Sequence, residues 1–79
     1  MQTISITVSG KVQGVFYRQS TKEKATALGI TGSVKNLKDG NVFIVATGTK
    51  EQLAELVAWC RQGPPKAKVA DVVTMDMAL

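Results

Sequence analysis

The stretch Gly10-Lys11-Val12-Gln13-Gly14-Val15-Phe16-Tyr17-Arg18 is the part of this chain best suited to chemistry. It follows an alternating run, Ile4-Ser5-Ile6-Thr7-Val8, that reads as a strand, and it runs into a segment that reads as a helix. A strand that turns through glycines into a helix leaves backbone N–H groups unpaired at the junction. With the helix dipole behind them, those groups attract an anion. Arg18 in the first helical turn is out of place on that account, because a cation there faces the positive end of the dipole at a cost of roughly 0.3–1 kcal/mol. An anion between the arginine and the N–H groups removes the conflict. The pattern predicts a phosphate or carboxylate held by the N–H groups of Gln13, Gly14, Val15, Phe16, Tyr17 and Arg18.

On a phosphoryl group in that cradle, Arg18 can fork onto two oxygens, as guanidinium geometry favours. Asn36 offers an acceptor and a donor on one amide, enough to hold a water in line with phosphorus. The chain has no histidine, so the commonest general base and the commonest metal ligand are both missing. Phosphate monoesters, with poor alkoxide leaving groups, are unsuited to such a site. An acyl phosphate is different, because its carboxylate leaving group belongs to an acid of pKa roughly 4 and departs unprotonated. Its transfer mainly needs positioning and charge stabilisation.

The elements must bring Arg18 and Asn36 together. Tyr17, Thr21, Ala25 and Leu28 fall on one helical face, and Gly29 is a C-terminal cap. A second strand is predicted over residues 32–37, followed by turn chemistry in Lys38-Asp39-Gly40-Asn41 and a third strand over 41–47. Thr49-Lys50-Glu51-Gln52 has the form of a capping box, and Leu53, Leu56, Val57 and Cys60 follow at the spacing of an amphipathic helix that Gly63-Pro64-Pro65 stops. A fourth strand over 69–77 breaks its alternation near Asp71, which predicts a bulge. The order is βαββαβ, an α+β ferredoxin-like sandwich with sheet order 4-1-3-2 and two helices on one face. A right-handed crossover makes the first two strands parallel, so their C-terminal ends share one sheet edge. Arg18 and Asn36 are predicted to meet there.

Size and composition agree with one small domain over residues 1–79. Hydrophobic residues make up 44% of the chain, which is ordinary for a globular protein and argues against disorder. No apolar run approaches the roughly 20 residues needed to span a bilayer. A single cysteine and a start without signal-peptide character predict a reducing cytoplasm. The net charge of +4 lies in residues 1–40, with six Lys/Arg against Glu23 and Asp39. That half carries the glycine loop, as a small-anion site would want. Cys60 reads as core and Lys22 and Lys24 as a solvated face. Trp59 reads as lying off the helix's apolar stripe, and Met75 and Met77 as strand packing.

Gly10 to Arg18 closely resembles the first signature of the acylphosphatase family, and Gly32-Ser33-Val34-Lys35-Asn36, with Gly40 and Val42 behind it, resembles the second. The similarity runs from about Ile4 to Val72 with the spacing intact. The resemblance implies a metal-free, cofactor-free hydrolase of carboxyl–phosphate anhydrides, with Arg18 binding phosphate and Asn36 positioning water. Its partners would be a small acyl phosphate and inorganic phosphate. Two departures accompany it. Ser33 stands where the family usually has an aromatic, which bears on packing there. The sequence also stops at Leu79, where family members usually continue into a fifth strand beside the second. The second strand is then expected to be an open edge, on a monomer whose copies could associate through it.

Two other functions fit the same fold. An RNA-recognition motif shares the βαββαβ order but needs aromatics on its central strands. Here the first strand has none and the third, Asn41-Val42-Phe43-Ile44-Val45-Ala46, has one, so neither nucleic acid nor membrane is expected as a partner. A non-catalytic phosphate-binding or accessory domain would use the same cradle, and a hydrolysis assay separates it from an enzyme.

Overall fold

Alternation along the first segment places Ile4, Ile6 and Val8 on one face and Thr3, Ser5 and Thr7 on the other, and only the first set packs under the helices. In the computed structural model, which describes residues 1–77, the order is β1 (Gln2–Lys11), α1 (Tyr17–Leu28), β2 (Thr31–Asn36), β3 (Val42–Gly48), α2 (Lys50–Gln62) and β4 (Lys68–Asp76). The four strands form one sheet in the order β2-β3-β1-β4, as predicted, with every hydrogen-bonded neighbour antiparallel. Because β3 runs antiparallel to both β1 and β2, those two strands are parallel, separated by β3. The expectation attached to the end of the sequence beyond Met77 lies outside the described residues.

The core joins Ile4, Ile6 and Val8 of β1 to Val42, Ile44 and Ala46 of β3, under Leu53, Leu56 and Cys60 of α2. Tyr17 and Thr21 are the buried residues of α1, with Ala25 and Leu28 packed against the core as the spacing predicts. Tyr17 donates its hydroxyl to the Cys60 carbonyl at 2.7 Å and lies 5.6 Å, ring centre to ring centre, from Trp59. The two helices are thereby locked through the residue directly before Arg18. Trp59, off the apolar stripe, is half-buried in this contact.

One element boundary differs from the sequence reading by several residues. β1 continues past Val8 to Lys11, because β4 pairs with it from Ile4 as far as Lys11. Gly10 therefore lies in the sheet and not in the loop. The register shifts between Ser9 and Gly10, pairing Ser9 with Asp71 and Gly10 with Val69, so Ala70 is the extra residue of the bulge expected near Asp71. Gly10 has φ 112°, and a Cβ there would collide with the Lys68 carbonyl and the Ala70 amide. Only glycine fits against the bulge. The open face of the sheet also corrects a reading: Met75 is 65% exposed and Met77 38%. Both look out from the side away from the helices, so they are not packing residues. Ser33, opposite Val45 on β2, is likewise exposed.

Burial raises the pKa of the two groups that meet between the helices. It pushes the Cys60 thiol up to about 11 from an ordinary 9.0 and the Tyr17 hydroxyl well above its ordinary range. An acid with a raised folded pKa keeps its proton where the unfolded chain has lost it, so stability falls as pH climbs. For the thiol the fall begins near pH 9 and runs at about 1.4 kcal/mol per pH unit until about pH 11. The urea midpoint is expected to drop between pH 9 and about pH 11, and Cys60→Ala to make the drop shallower. Equal slopes in the two proteins would refute the assignment to Cys60.

Candidate active site at the start of the first helix

The loop from Val12 to Phe16 is pinned at two points and free between them. Val12 is 1% and Val15 6% exposed, and both belong to the hydrophobic core. Gly14, with φ 73°, bulges outward between them with nothing within 4 Å of where a Cβ would lie. Phe16 then occupies the N-cap of α1 in the left-handed region, φ 63° and ψ 22°, with no side-chain cap and no acidic residue in the first turn. It is the sole non-glycine residue with positive φ among the described residues. An aromatic side chain in that conformation costs of order 1–3 kcal/mol. It is also 74% exposed, so packing does not repay the cost.

The first main-chain bond of the helix is from Ser20 N–H to Phe16 O at 3.0 Å. Among the described residues no protein acceptor meets the N–H groups from Gly14 to Gln19. α2 shows what the same chain does when it caps a helix. Thr49 accepts from the Gln52 amide, Gln52 returns the bond at 2.8 Å, and Glu51 stands in the first turn. At α1 the corresponding positions carry Phe16, Tyr17, Arg18 and Gln19.

A cavity of about 440 Å³ opens over this helix start. Gly14, Phe16, Tyr17 and Arg18 line it on one side, and Val34 and Asn36 of β2 on the other. The topology thus brings Arg18 and Asn36 to one cavity across the sheet edge. Of the six residues expected to form the cradle, Gln13 and Val15 do not line the cavity. Val15 is buried, and the Gln13 side chain turns to the β2–β3 turn, donating from Nε2 to Leu37 O and Asn41 O, each at 2.9 Å. Gln19 and Lys22 line the cavity as well. Lys22, read from sequence as a solvated residue, follows Arg18 by four positions, the spacing that puts two residues on one helical face. That spacing was the available signal for it. Among the described residues no three His, Cys, Asp or Glu side chains gather as metal ligands would, and no helix is long and apolar enough to cross a membrane. The arrangement of free N–H groups, a forked cation and a facing amide suits a tetrahedral oxyanion.

Fold and site together define a ferredoxin-like α+β fold with an uncapped helix start that opens on a cavity lined by Arg18 and Asn36. A sequence profile of the acylphosphatase family matches residues 4–78. An acylphosphatase of Methylococcus capsulatus is 48% identical over 79 residues, which span all of this chain and 86% of that protein. The structure of an acylphosphatase from Coxiella burnetii superposes with a TM-score of 0.95 at 45% identity, covering 99% of this chain and 82% of that one. The acylphosphatase from Bacillus subtilis gives 0.95 at 35% identity, over 98% and 86% of the two chains. The chain belongs to the acylphosphatase family.

Phe16 offers a direct test that the helix start is strained for a purpose other than stability. Phe16→Gly removes the left-handed penalty and, at an exposed position, little packing, so the protein should become more stable by about 0.5–1 kcal/mol. Urea unfolding of the two proteins measures this. A destabilised, well-folded glycine variant would mean that the Phe16 ring contributes to the fold.

Proposed function

We propose that this chain hydrolyses the carboxyl–phosphate bond of acyl phosphates, releasing a carboxylate and inorganic phosphate, with Arg18 and Asn36 as its catalytic residues. One observation carries the reading: Arg18 and Asn36, from two different elements, line the same cavity as a helix start left without a protein cap. In this mechanism the N–H groups of the loop and Arg18 hold the phosphoryl oxygens. Asn36 holds a water opposite the acyl oxygen. The water oxygen bonds to phosphorus while the bond from phosphorus to the acyl oxygen breaks, and its electron pair leaves on the carboxylate. The proton that the water gives up ends on a phosphate oxygen, so no side chain has to act as a base. Arg18 and the N–H groups stabilise the equatorial oxygens throughout, and no metal is required for that charge.

The same reading makes the functional unit one chain, since every group it uses is in one chain. Among the described residues β2 pairs only with β3, and its outer edge is where copies would associate. A cytoplasmic setting agrees with a single, fully buried thiol. Nucleic acid is a poor partner: Phe43 is the aromatic on the sheet's open face, and Lys35 Nζ already lies over it, 5.6 Å from the ring centre.

Turnover of acetyl phosphate and inhibition by inorganic phosphate test the two assignments together. Arg18→Ala removes a ligand used in both ground and transition states, so phosphate inhibition weakens and turnover falls. At roughly 1.5–3 kcal/mol for each charge-assisted bond, each one lost costs tenfold to more than a hundredfold. Asn36→Ala is expected to cut turnover strongly and leave phosphate inhibition nearly unchanged, the pattern of a contact made mainly in the transition state. Equal loss of phosphate affinity in the two variants would show that Asn36 does not act through water. Phosphate binding without any turnover in the parent protein would leave the non-catalytic reading in its place.

A separate expectation concerns metals. Turnover should be unchanged in a strong chelator, because the phosphoryl charge is met by Arg18 and backbone N–H groups. Activity lost in chelator and restored by a divalent ion would overturn the mechanism.

A further inference from the structure

The two halves of the site sit on strands that do not touch. The loop leaves the end of β1, Asn36 ends β2, and β3 lies between them in the sheet. No sheet hydrogen bond joins β1 to β2 directly: Val8 and Asn36 are both paired to Val42 of β3, and that ladder ends at Val8, short of the loop that carries the cradle. The connection that spans the gap is the Gln13 side chain. Its Nε2 donates to Leu37 O, on the residue directly after Asn36, and to Asn41 O, each at 2.9 Å. Leu37 and Asn41 also close the turn between β2 and β3, with Leu37 N–H to Asn41 O at 2.8 Å and Gly40 N–H to Leu37 O at 3.2 Å. Among the described residues, no other hydrogen bond joins the loop of residues 12–16 to the segment of residues 36–41. Both acceptors are carbonyls, so they need two N–H donors on one nitrogen at one reach. A neutral amide supplies that; a carboxylate in the same place would set its oxygens against the carbonyls.

We propose that Gln13 is a positioning residue for the reaction: its side-chain amide fixes Asn36, and the water Asn36 holds, at the in-line distance from the phosphate cradle. The inference rests on the hydrolytic reading above. Its consequence is a split effect. The cradle keeps its own anchors, Val12 and Val15, so phosphate binding survives loss of the amide. In-line attack does not, because misplacement by about 1 Å can cost on the order of a hundredfold in rate.

The test uses Gln13→Met, which keeps the length and removes the donors, and Gln13→Glu, which keeps the shape and reverses the polarity. In both, kcat on acetyl phosphate should fall about tenfold or more while the inhibition constant for phosphate stays within about twofold. A double-mutant cycle then asks what Gln13 acts through. In an Asn36→Ala background, Gln13→Met should cost no more than about twofold further, because the group it positions is gone. Lowering the pH to protonate the glutamate restores one donor, so the Gln13→Glu rate should recover in part relative to the parent, and the Gln13→Met rate should not.

An unchanged kcat, phosphate affinity lost in step with kcat, or full additivity with Asn36→Ala would each overturn the proposal. So would a Gln13→Glu profile that follows Gln13→Met at every pH. If Gln13→Met fails to fold by circular dichroism, the rate, inhibition and pH measurements on Gln13→Glu decide the matter. A parent protein that hydrolyses acetyl phosphate but gives an additive cycle sinks this inference alone. One that binds phosphate without turnover sinks the hydrolytic reading first.

Discussion

At the start of α1 the N–H groups of Gly14 to Gln19 have no acceptor among the described residues, and much of the fold serves to keep them that way. Unpaired donors at a helix end normally find a side chain or water, and a serine or aspartate at the cap would stabilise the helix by about 1 kcal/mol. This chain follows that rule at α2, where Thr49 and Gln52 cap each other. Gln52 also reaches back to Leu28 O at 2.7 Å, tying the start of α2 to the end of α1. The contrast between the two helices shows that the missing cap at α1 is specific to that place. A side-chain oxygen there would occupy the position that a bound oxyanion needs.

Holding a loop open requires anchors that do not depend on a ligand. Val12, Val15 and Tyr17 supply them, each buried, on alternate sides of the exposed Gly14 and Phe16. Thr21 adds a turn further on, donating its hydroxyl to Tyr17 O at 2.7 Å inside the core. Tyr17 carries the largest share, because its ring meets Trp59 and its hydroxyl reaches Cys60 O. Arg18 is therefore fixed by its neighbour in sequence and not by its own contacts. The strain at Phe16 is sustained by this over-determination. The residues on either side are buried, and the chain between them has one way to pass.

Most of this architecture was legible in the sequence, for reasons that differ by element. Ile4, Ile6 and Val8 alternate cleanly because β1 is half-buried, and Leu53, Leu56 and Cys60 keep helical spacing because α2 lies on the core with one face. The meeting of Arg18 and Asn36 followed from crossover handedness, which holds whatever the side chains. What stayed hidden was tertiary. That β1 reaches Lys11 depends on β4 pairing with it from a distant part of the chain, which local pattern does not record. Gly10 reads as a loop glycine until the bulge at Ala70 is seen pressing on it. Met75 alternates like a packing residue but lies on the face without helices. The side chain of Gln13 could not be placed at all, since its two acceptors are backbone carbonyls and carry no mark in sequence.

That last point bears on how such a site is specified. The donors that face the cavity belong mostly to the backbone, so the exposed residues of the loop carry little of the information that builds it. The information lies in the buried ones: Val12 and Val15 set the path, Gly14 permits the turn, and Tyr17 sets the helix axis. Substitution at exposed positions can leave the geometry of the N–H groups intact, whereas a change of volume at Val15 or Tyr17 moves all of them together. In the proposed mechanism Arg18 and Asn36 add chemistry to a surface whose shape is settled from beneath. For phosphoryl transfer with a carboxylate leaving group this division is sufficient, because the reaction needs fixed dipoles and an aligned water and does not need a proton donor. A chain of 79 residues, with one small core among its described residues and no histidine, can meet that demand because rigidity at the loop is the main thing the core has to provide.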